Sequence, residues 1–303
     1  MGGKQLNYRK IAVMKAHVLL FTSLFMAMVA AGQSEEPTLI AASFYDSSGV
    51  KMTYPEVVVY LESKDVILFG EHHNSAIIHW IQKRLIEALS ENKDLILGGE
   101  FFERDDQLVI NEYLLGLIPE KNFESEAKLW TNYQTDYRPI LSFAKDNKIP
   151  FIATNVPRRY ASLVAQQGLD TLQSLNEEAK NLMATLPIDF SMETPGYLAM
   201  KEMMGSHAGA NAENFIKAQA LKDATMAESI LANTDDTSIF FHVNGDFHSA
   251  NYGGIYWYIK NQKPKLEVAT IKIQTSRDTD FDDAWKATGD VVLVVPGDFT
   301  TTH

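Results

Sequence analysis

Three stretches of this chain run from a strand-like apolar segment straight into polar residues capable of chemistry. They are Val66-Ile67-Leu68-Phe69-Gly70-Glu71-His72-His73, Leu95-Ile96-Leu97-Gly98-Gly99-Glu100, and Ile239-Phe240-Phe241-His242-Val243-Asn244-Gly245-Asp246-Phe247-His248. Short apolar runs separated by helical patterns predict βαβ units and a parallel sheet with right-handed crossovers. In such sheets the carboxyl ends of the strands share one edge, where ligands bind. Residues far apart in sequence are therefore expected to meet in one place.

The remaining pattern completes an α/β fold. Ser43 to Tyr45 and Val50 to Met52 flank the polar turn Asp46-Ser47-Ser48-Gly49 and predict a hairpin. Helices are expected near Tyr54 to Ser63, from Ser75 to Ser90 with Asn74 or Ser75 as cap, near Arg104 to Leu115, and at Tyr137 to Asn147. Further strands are expected at Pro150 to Thr154, Leu266 to Ile273 and Val291 to Val295, with a helix at Tyr252 to Asn261. From Pro157 to about Ala232 only helical patterns occur. The expected organisation is an α/β domain over 33–156 and 236–303, with a helical insertion over 157–235 covering the sheet's carboxyl edge as a smaller subdomain.

Residues 1–32 read as an export signal. Lys4, Arg9, Lys10 and Lys15 stand without any acid, followed by the apolar run Val18 to Ala31 and the small residues Ala30-Ala31-Gly32. The apolar run is shorter than the roughly 20 residues of a membrane-spanning helix. Met14 offers a second start for a more compact signal. Removal of this segment takes the formal charge from −12 to −16. So acidic a surface disfavours nucleic acid, whose phosphates need clustered Lys and Arg. There is no cysteine, which leaves no acylation site for a lipoprotein, no disulfide and no thiolate metal site. The expected location is the periplasm or the exterior.

The edge residues have two readings each. Glu71, His72, Glu100 and His248 form a carboxylate and imidazole set able to hold a divalent metal such as zinc or manganese, or to act as acid and base. On the other reading Glu71 and Glu100 cap helices or pair with Arg104, and the histidines satisfy local hydrogen bonds. His79, within an apolar helix, is assigned to the core or to support of the edge, and His73 to solvent.

Gly70-Glu71-His72-His73 with His79, Gly99-Glu100-Phe101-Phe102 with Asp105 and Gln107, Asn155-Val156-Pro157-Arg158-Arg159-Tyr160, and Asn244-Gly245-Asp246-Phe247-His248 together resemble the ChaN-like haem-binding proteins. The resemblance spans most of the chain beyond residue 32, in the same order. It extends to a wider group, the TIKI metalloproteases and erythromycin esterase-like enzymes, through the Gly-Glu-x-His strand end. It implies an α/β sheet with a helical insertion, export, a role in haem or iron uptake, haem as ligand, haems at a homodimer interface, and an outer-membrane receptor as a further partner. Family members are often lipoproteins, from which this cysteine-free chain departs.

Haem requires an apolar slot, an axial ligand and cations for its propionates. Asn155 as a cap and Pro157 at the first helical position would start a helix carrying Arg158, Arg159 and Tyr160. The resemblance assigns the iron to a tyrosine of the insertion, here Tyr160, whose phenolate neighbouring positive charge favours. A helix from Met192 to Gly205 bears Met200, Met203 and Met204 and leads to His207, a helper to the ligand. Methionines suit a broad apolar ligand face, although a Met and aromatic stripe at this spacing serves equally as core. Hydrolysis at the strand ends, of an ester or peptide bond, is the alternative function.

Overall fold

In the computed structural model the structure describes residues 40–204 and 212–303. Eight strands form one sheet: β1 (Ser43–Asp46), β2 (Lys51–Met52), β3 (Val66–Glu71), β4 (Asp94–Glu103), β5 (Phe151–Asn155), β6 (Ser238–Gly245), β7 (Val268–Thr275) and β8 (Val291–Val295), in spatial order β2-β1-β8-β7-β3-β6-β4-β5. The hairpin β1-β2 adds antiparallel to β8, and every other pair is parallel. At the hairpin turn Asp46 accepts backbone hydrogen bonds from Ser48 and Val50, both at 2.9 Å. Gly49 there adopts φ +91°, in the left-handed region that glycine enters without steric cost.

Among the described residues ten α-helices accompany the sheet: α1 (Tyr54–Leu61), α2 (Ala76–Ser90), α3 (Gln107–Leu114), α4 (Glu120–Glu126), α5 (Arg138–Asn147), α6 (Arg158–Gln167), α7 (Glu177–Lys180), α8 (Tyr197–Met204), α9 (Ala212–Asn233) and α10 (Gly254–Gln262). Thr53 and Glu56 form a reciprocal capping box at α1. Ser75 precedes α2 without a capping hydrogen bond from its side chain. The helix expected from Met192 begins only at Tyr197, because Ser191 to Pro195 form a turn in which Ser191 accepts from the Glu193 amide. The short α4 and a π-helical turn at Tyr133–Tyr137 carry too few residues for periodicity to announce them.

Strand alternation divides the core in two. Ile67, Phe69, Leu97, Phe241 and Val243 face α2 and α5 through Ile78, Leu85, Ile140 and Leu141. Val66, Leu68 and Phe240 face α9 and α10 through Ala224, Ala227, Ile230, Ile255 and Ile259. Neighbouring residues pointing to opposite sides make the central strands apolar throughout, as burial on both faces requires. The long helix α9, which closes the helical stretch after β5, is thus also one of the covers of the sheet.

Gly98 and Gly99 lie in extended backbone inside β4. A Cβ at Gly98 would stand 2.7 Å from the Phe240 ring, so the glycine makes room for an aromatic packed on the sheet. Between Gly99 and Glu103 the pairing with β5 shifts register, a bulge of the kind that re-aims side chains. β5 is the sheet's edge, and Gln107 satisfies it: the side-chain amide donates to the Phe151 carbonyl at 2.9 Å and accepts from the Ala153 amide at 2.7 Å. Among the described residues no helix is long and apolar enough to cross a membrane.

Candidate functional site

The strand order places β6 between β3 and β4, and registers Glu71 against Gly245 and Gly99 against Val243. Glu71, Glu100 and the turn carrying His248 therefore meet at the carboxyl edge. All three side chains are buried, and each oxygen of both carboxylates has a partner.

Glu100 accepts from the Gly245 amide at 2.8 Å through Oε2 and stands 3.0 Å from His248 Nε2 through Oε1. His248 Nδ1 donates to Asp223 of α9, whose other oxygen accepts from the Tyr197 hydroxyl at 2.7 Å. Burial works against a charged His248, but the two flanking carboxylates prevail and raise its pKa to about 9. It is an imidazolium at neutral pH. Burial also works against the Glu100 carboxylate, yet His248 holds its pKa well below the ordinary range. Asp223, wholly enclosed, goes the other way: desolvation raises its pKa in spite of the same imidazolium.

Glu71 heads a second network. Its Oε1 accepts from the Tyr137 hydroxyl at 2.7 Å and lies 2.9 Å from His73 Nδ1, while Oε2 accepts from the Gln82 amide at 2.7 Å. His79 packs edge-on to Tyr137 and lies 3.2 Å from both the Gln82 side-chain oxygen and the His73 carbonyl. His79 thus supports the edge from inside α2, as its apolar setting suggested. Burial raises the Glu71 pKa, but His73 and His79 outweigh it and the group stays low. His73 is raised, burial being outweighed by Glu71 and Glu100.

The structure therefore joins Glu71, Glu100 and His248 and sets His73, rather than His72, beside them. His73 is not simply turned to solvent: its ring contacts Glu71 and stands edge-on to Trp130 at 4.9 Å. His72 is half-buried, its pKa lowered first by burial, with Asp246 and Lys272 as its strongest charged neighbours. Asp246 pairs with Lys272 and ties the turn after β6 to β7. His242 is wholly buried between the Thr154 hydroxyl at 2.8 Å and the Asn244 amide oxygen at 3.1 Å, and burial drops its pKa to about 4. Arg104 pairs with Glu228 of α9 at 3.2 Å, not with Glu100. Among the described residues no group of three or more His, Asp or Glu side chains is arranged to hold a metal ion.

Asp223, Tyr137 and Gln82 complete the site and were not singled out from the sequence. Gln82 had a signal, since it follows His79 at i+3 on the apolar face of α2. Asp223 had a weaker one, an acid among alanines in the middle of α9. Tyr137 had none.

Two of the helices that carry residues considered for haem, α6 and α8, pack on α9. Tyr160, in the first turn of α6, is half-buried against a cluster containing Ala218 and Leu221. From the other side Tyr197 of α8 packs on Ile216 and Ala220. Leu198, Phe215 and Met203 are exposed, Met203 by 72%, and Met204 is half-buried. Met200 packs against the α8–α9 contact rather than facing a ligand. Arg159 lies 2.7 Å from Asp105 and 4.6 Å over the Tyr160 ring, whereas Arg158 is exposed with no ion pair among the described residues. Asn155 does not cap α6: its side chain donates to the Glu100 carbonyl at 2.9 Å, and Pro157 holds the cap position. His207 lies outside the described residues.

Residues 57–259 match the family described as haem-binding uptake, Tiki superfamily, ChaN. Among solved structures the chain is similar to one described as cofacial heme binding to ChaN of Campylobacter jejuni. That likeness has a TM-score of 0.65 and 17% identity, and covers 84% of this chain and 97% of that one. At such identity it shows a shared fold. The type III effector HopBA1 (TM-score 0.45, 14% identity, 80% and 92% covered) and the erythromycin esterase EreC in its open conformation (0.44, 10%, 77% and 77%) are more distant. Comparison with curated proteins returns no match.

Proposed function

The chain belongs to the ChaN family of haem-binding uptake proteins in the Tiki superfamily, and from that membership we propose that it binds haem on the face formed by α6, α8 and the first turns of α9. The observation that carries this placement is the exposure of Leu198, Met203 and Phe215 on the adjoining helices α8 and α9, the second of which also packs against the half-buried Tyr160 of α6. Large apolar side chains exposed together mark a ligand or partner surface. A porphyrin needs such a face, together with an axial oxygen or nitrogen and a cation for its propionates.

The residues fit those requirements. Tyr160 would supply the axial oxygen. Arg159, already neutralised by Asp105 and laid over the Tyr160 ring, orients the phenol, which leaves Arg158 free to meet a propionate. Met203 and Met204 would lie against the macrocycle, and His207, which falls between α8 and α9 in the sequence, would assist. Bound haem would bring an iron centre that is carried or stored, with no turnover required of the protein.

We further place the protein outside the cytoplasm, exported by residues 1–32, as a carrier in haem uptake that pairs with a second copy and receives haem from an outer-membrane receptor. The family description and the composition of that N-terminal segment support this reading. Haemin titration of the purified chain, followed by absorption spectroscopy beside Tyr160→Phe, tests the site. Saturable binding with a tyrosinate-ligated ferric spectrum, lost in the variant, is expected. Absence of saturable binding by the wild type overturns the proposal.

A further inference from the structure

Beside the start of β5, at the open side of the sheet, α3 and α5 leave a groove of about 490 Å³, a volume within the range of ligand sites. Its walls are apolar: Leu114 and Leu115 at the end of α3, Ala144 of α5, and Ile149, Phe151 and Ile152 where the chain enters the sheet. Gly116, at φ +72°, ends α3. The amides of Gly116 and Leu117 return to the carbonyls of Tyr113 and Glu112 at 3.0 and 2.9 Å, which closes the helix with a left-handed cap. Leu115 and Leu117 are left 74% and 70% exposed, and Leu108, about two turns before Leu115 on the same side of the helix, is 70% exposed as well. Large apolar side chains exposed along one element mark a binding surface.

Two observations select the occupant. Gln107 already engages the outward Phe151 carbonyl and Ala153 amide, so an added peptide strand would find those positions taken, and contact must come from side chains. The charge of the groove also opposes that of the chain. Among the described residues no carboxylate lines it, whereas Lys145 and Lys148 do, in a chain of formal charge −12. Lys145 Nζ stands 3.6 Å over the Tyr113 ring, a contact that steadies the ammonium without neutralising it. Lys148 is exposed and follows α5 directly at φ +56°. Neither lysine forms an ion pair among the described residues. Their place at the end of α5 suits its dipole, which keeps them at the groove with or without a ligand. We propose that the groove binds a medium-chain alkyl carboxylate, its chain against Leu115, Ile149 and Ile152 and its head group held by Lys145 and Lys148. Apolar burial supplies the affinity and the two ammonium groups fix the orientation.

The test is calorimetric titration of the full chain, without haem, with octanoate, decanoate and decanol below their micellar or solubility limits, comparing wild type, Lys148→Glu and Tyr160→Phe. Saturable binding of decanoate is expected, tighter than octanoate by about threefold to fourfold for each added methylene, the value of a buried CH2. Decanol, with the same chain and no charge, should bind about tenfold more weakly, the worth of a hydrogen bond to a charged group. Lys148 is exposed, and glutamate at its φ of +56° meets the same backbone cost as lysine, so Lys148→Glu should fold as the wild type does. It should lower decanoate affinity by about tenfold and leave decanol unchanged. Tyr160→Phe should bind decanoate as the wild type does, which separates the groove from the haem face. Absence of saturable decanoate binding by the wild type, equal affinity for decanol and decanoate, an undiminished decanoate affinity in Lys148→Glu, or its loss in Tyr160→Phe each overturns the proposal.

Discussion

His248 Nε2 lies 3.0 Å from Glu100 Oε1, joining residues 148 positions apart across the ends of β4 and β6. With Asp223 on its other nitrogen, this histidine welds α9 to the sheet edge. The consequence is measurable in solution. Its pKa rises from 6.5 unfolded to about 9 folded, so its stabilising contribution is complete below pH 6.5 and fades as pH climbs through 9. Unfolding free energies at pH 6.5 and 9.5 should therefore differ more in wild type than in His248→Gln, and the imidazole resonances of His248 should titrate near pH 9. Titration near 6.5 would remove the flanking carboxylates from the account.

Asp223→Ala leaves His248 and Glu100 as a buried pair stripped of one partner and frees the Tyr197 hydroxyl. Removing one member of a buried ionic network costs about 3–5 kcal/mol. Denaturant unfolding should show that loss, and a change below about 1 kcal/mol would mean that water replaces the carboxylate easily.

Gly98→Val places carbon where the Phe240 ring lies at 2.7 Å. Overpacking of this kind costs about 1–3 kcal/mol, so the melting temperature should fall, whereas Gly116→Ala, where nothing lies within 4 Å of the added carbon but φ is +72°, should show only the cost of the backbone conformation.

Gln107→Ala removes both hydrogen bonds that close the edge of β5. A loss of about 1–3 kcal/mol is expected from two net bonds, together with concentration-dependent self-association by light scattering, since an open edge invites pairing. A monomeric, fully stable variant would show that the edge needs no cover.

Phe215→Ser takes an exposed aromatic from the face assigned to haem. Haemin affinity should fall with no change in thermal stability, because the ring is half exposed and contributes little to the core. An equal affinity would move the haem away from the start of α9.

Much of this molecule could be read from residue order alone. The apolar runs ending in Glu71, Glu100 and the Asn244-Gly245-Asp246 turn become central strands, because uninterrupted apolar residues of that length can be satisfied only by burial on both faces. Their common direction follows from the helices between them, so the meeting of Glu71, Glu100 and His248 was implied before any coordinate. The apolar face of α2 and the all-helical stretch after β5 are local periodicities of the same kind. Only the tertiary structure decided the rest. Strand order put β6 between β3 and β4, a matter of which surfaces fit best across the whole sheet. The choice of His73 over His72 turns on a one-residue parity where the strand ends, and an extended backbone sends successive side chains to opposite sides. Asp223 arrives from a helix whose path is set by packing on Val66, Leu68 and Phe240, contacts that no local pattern around the aspartate encodes.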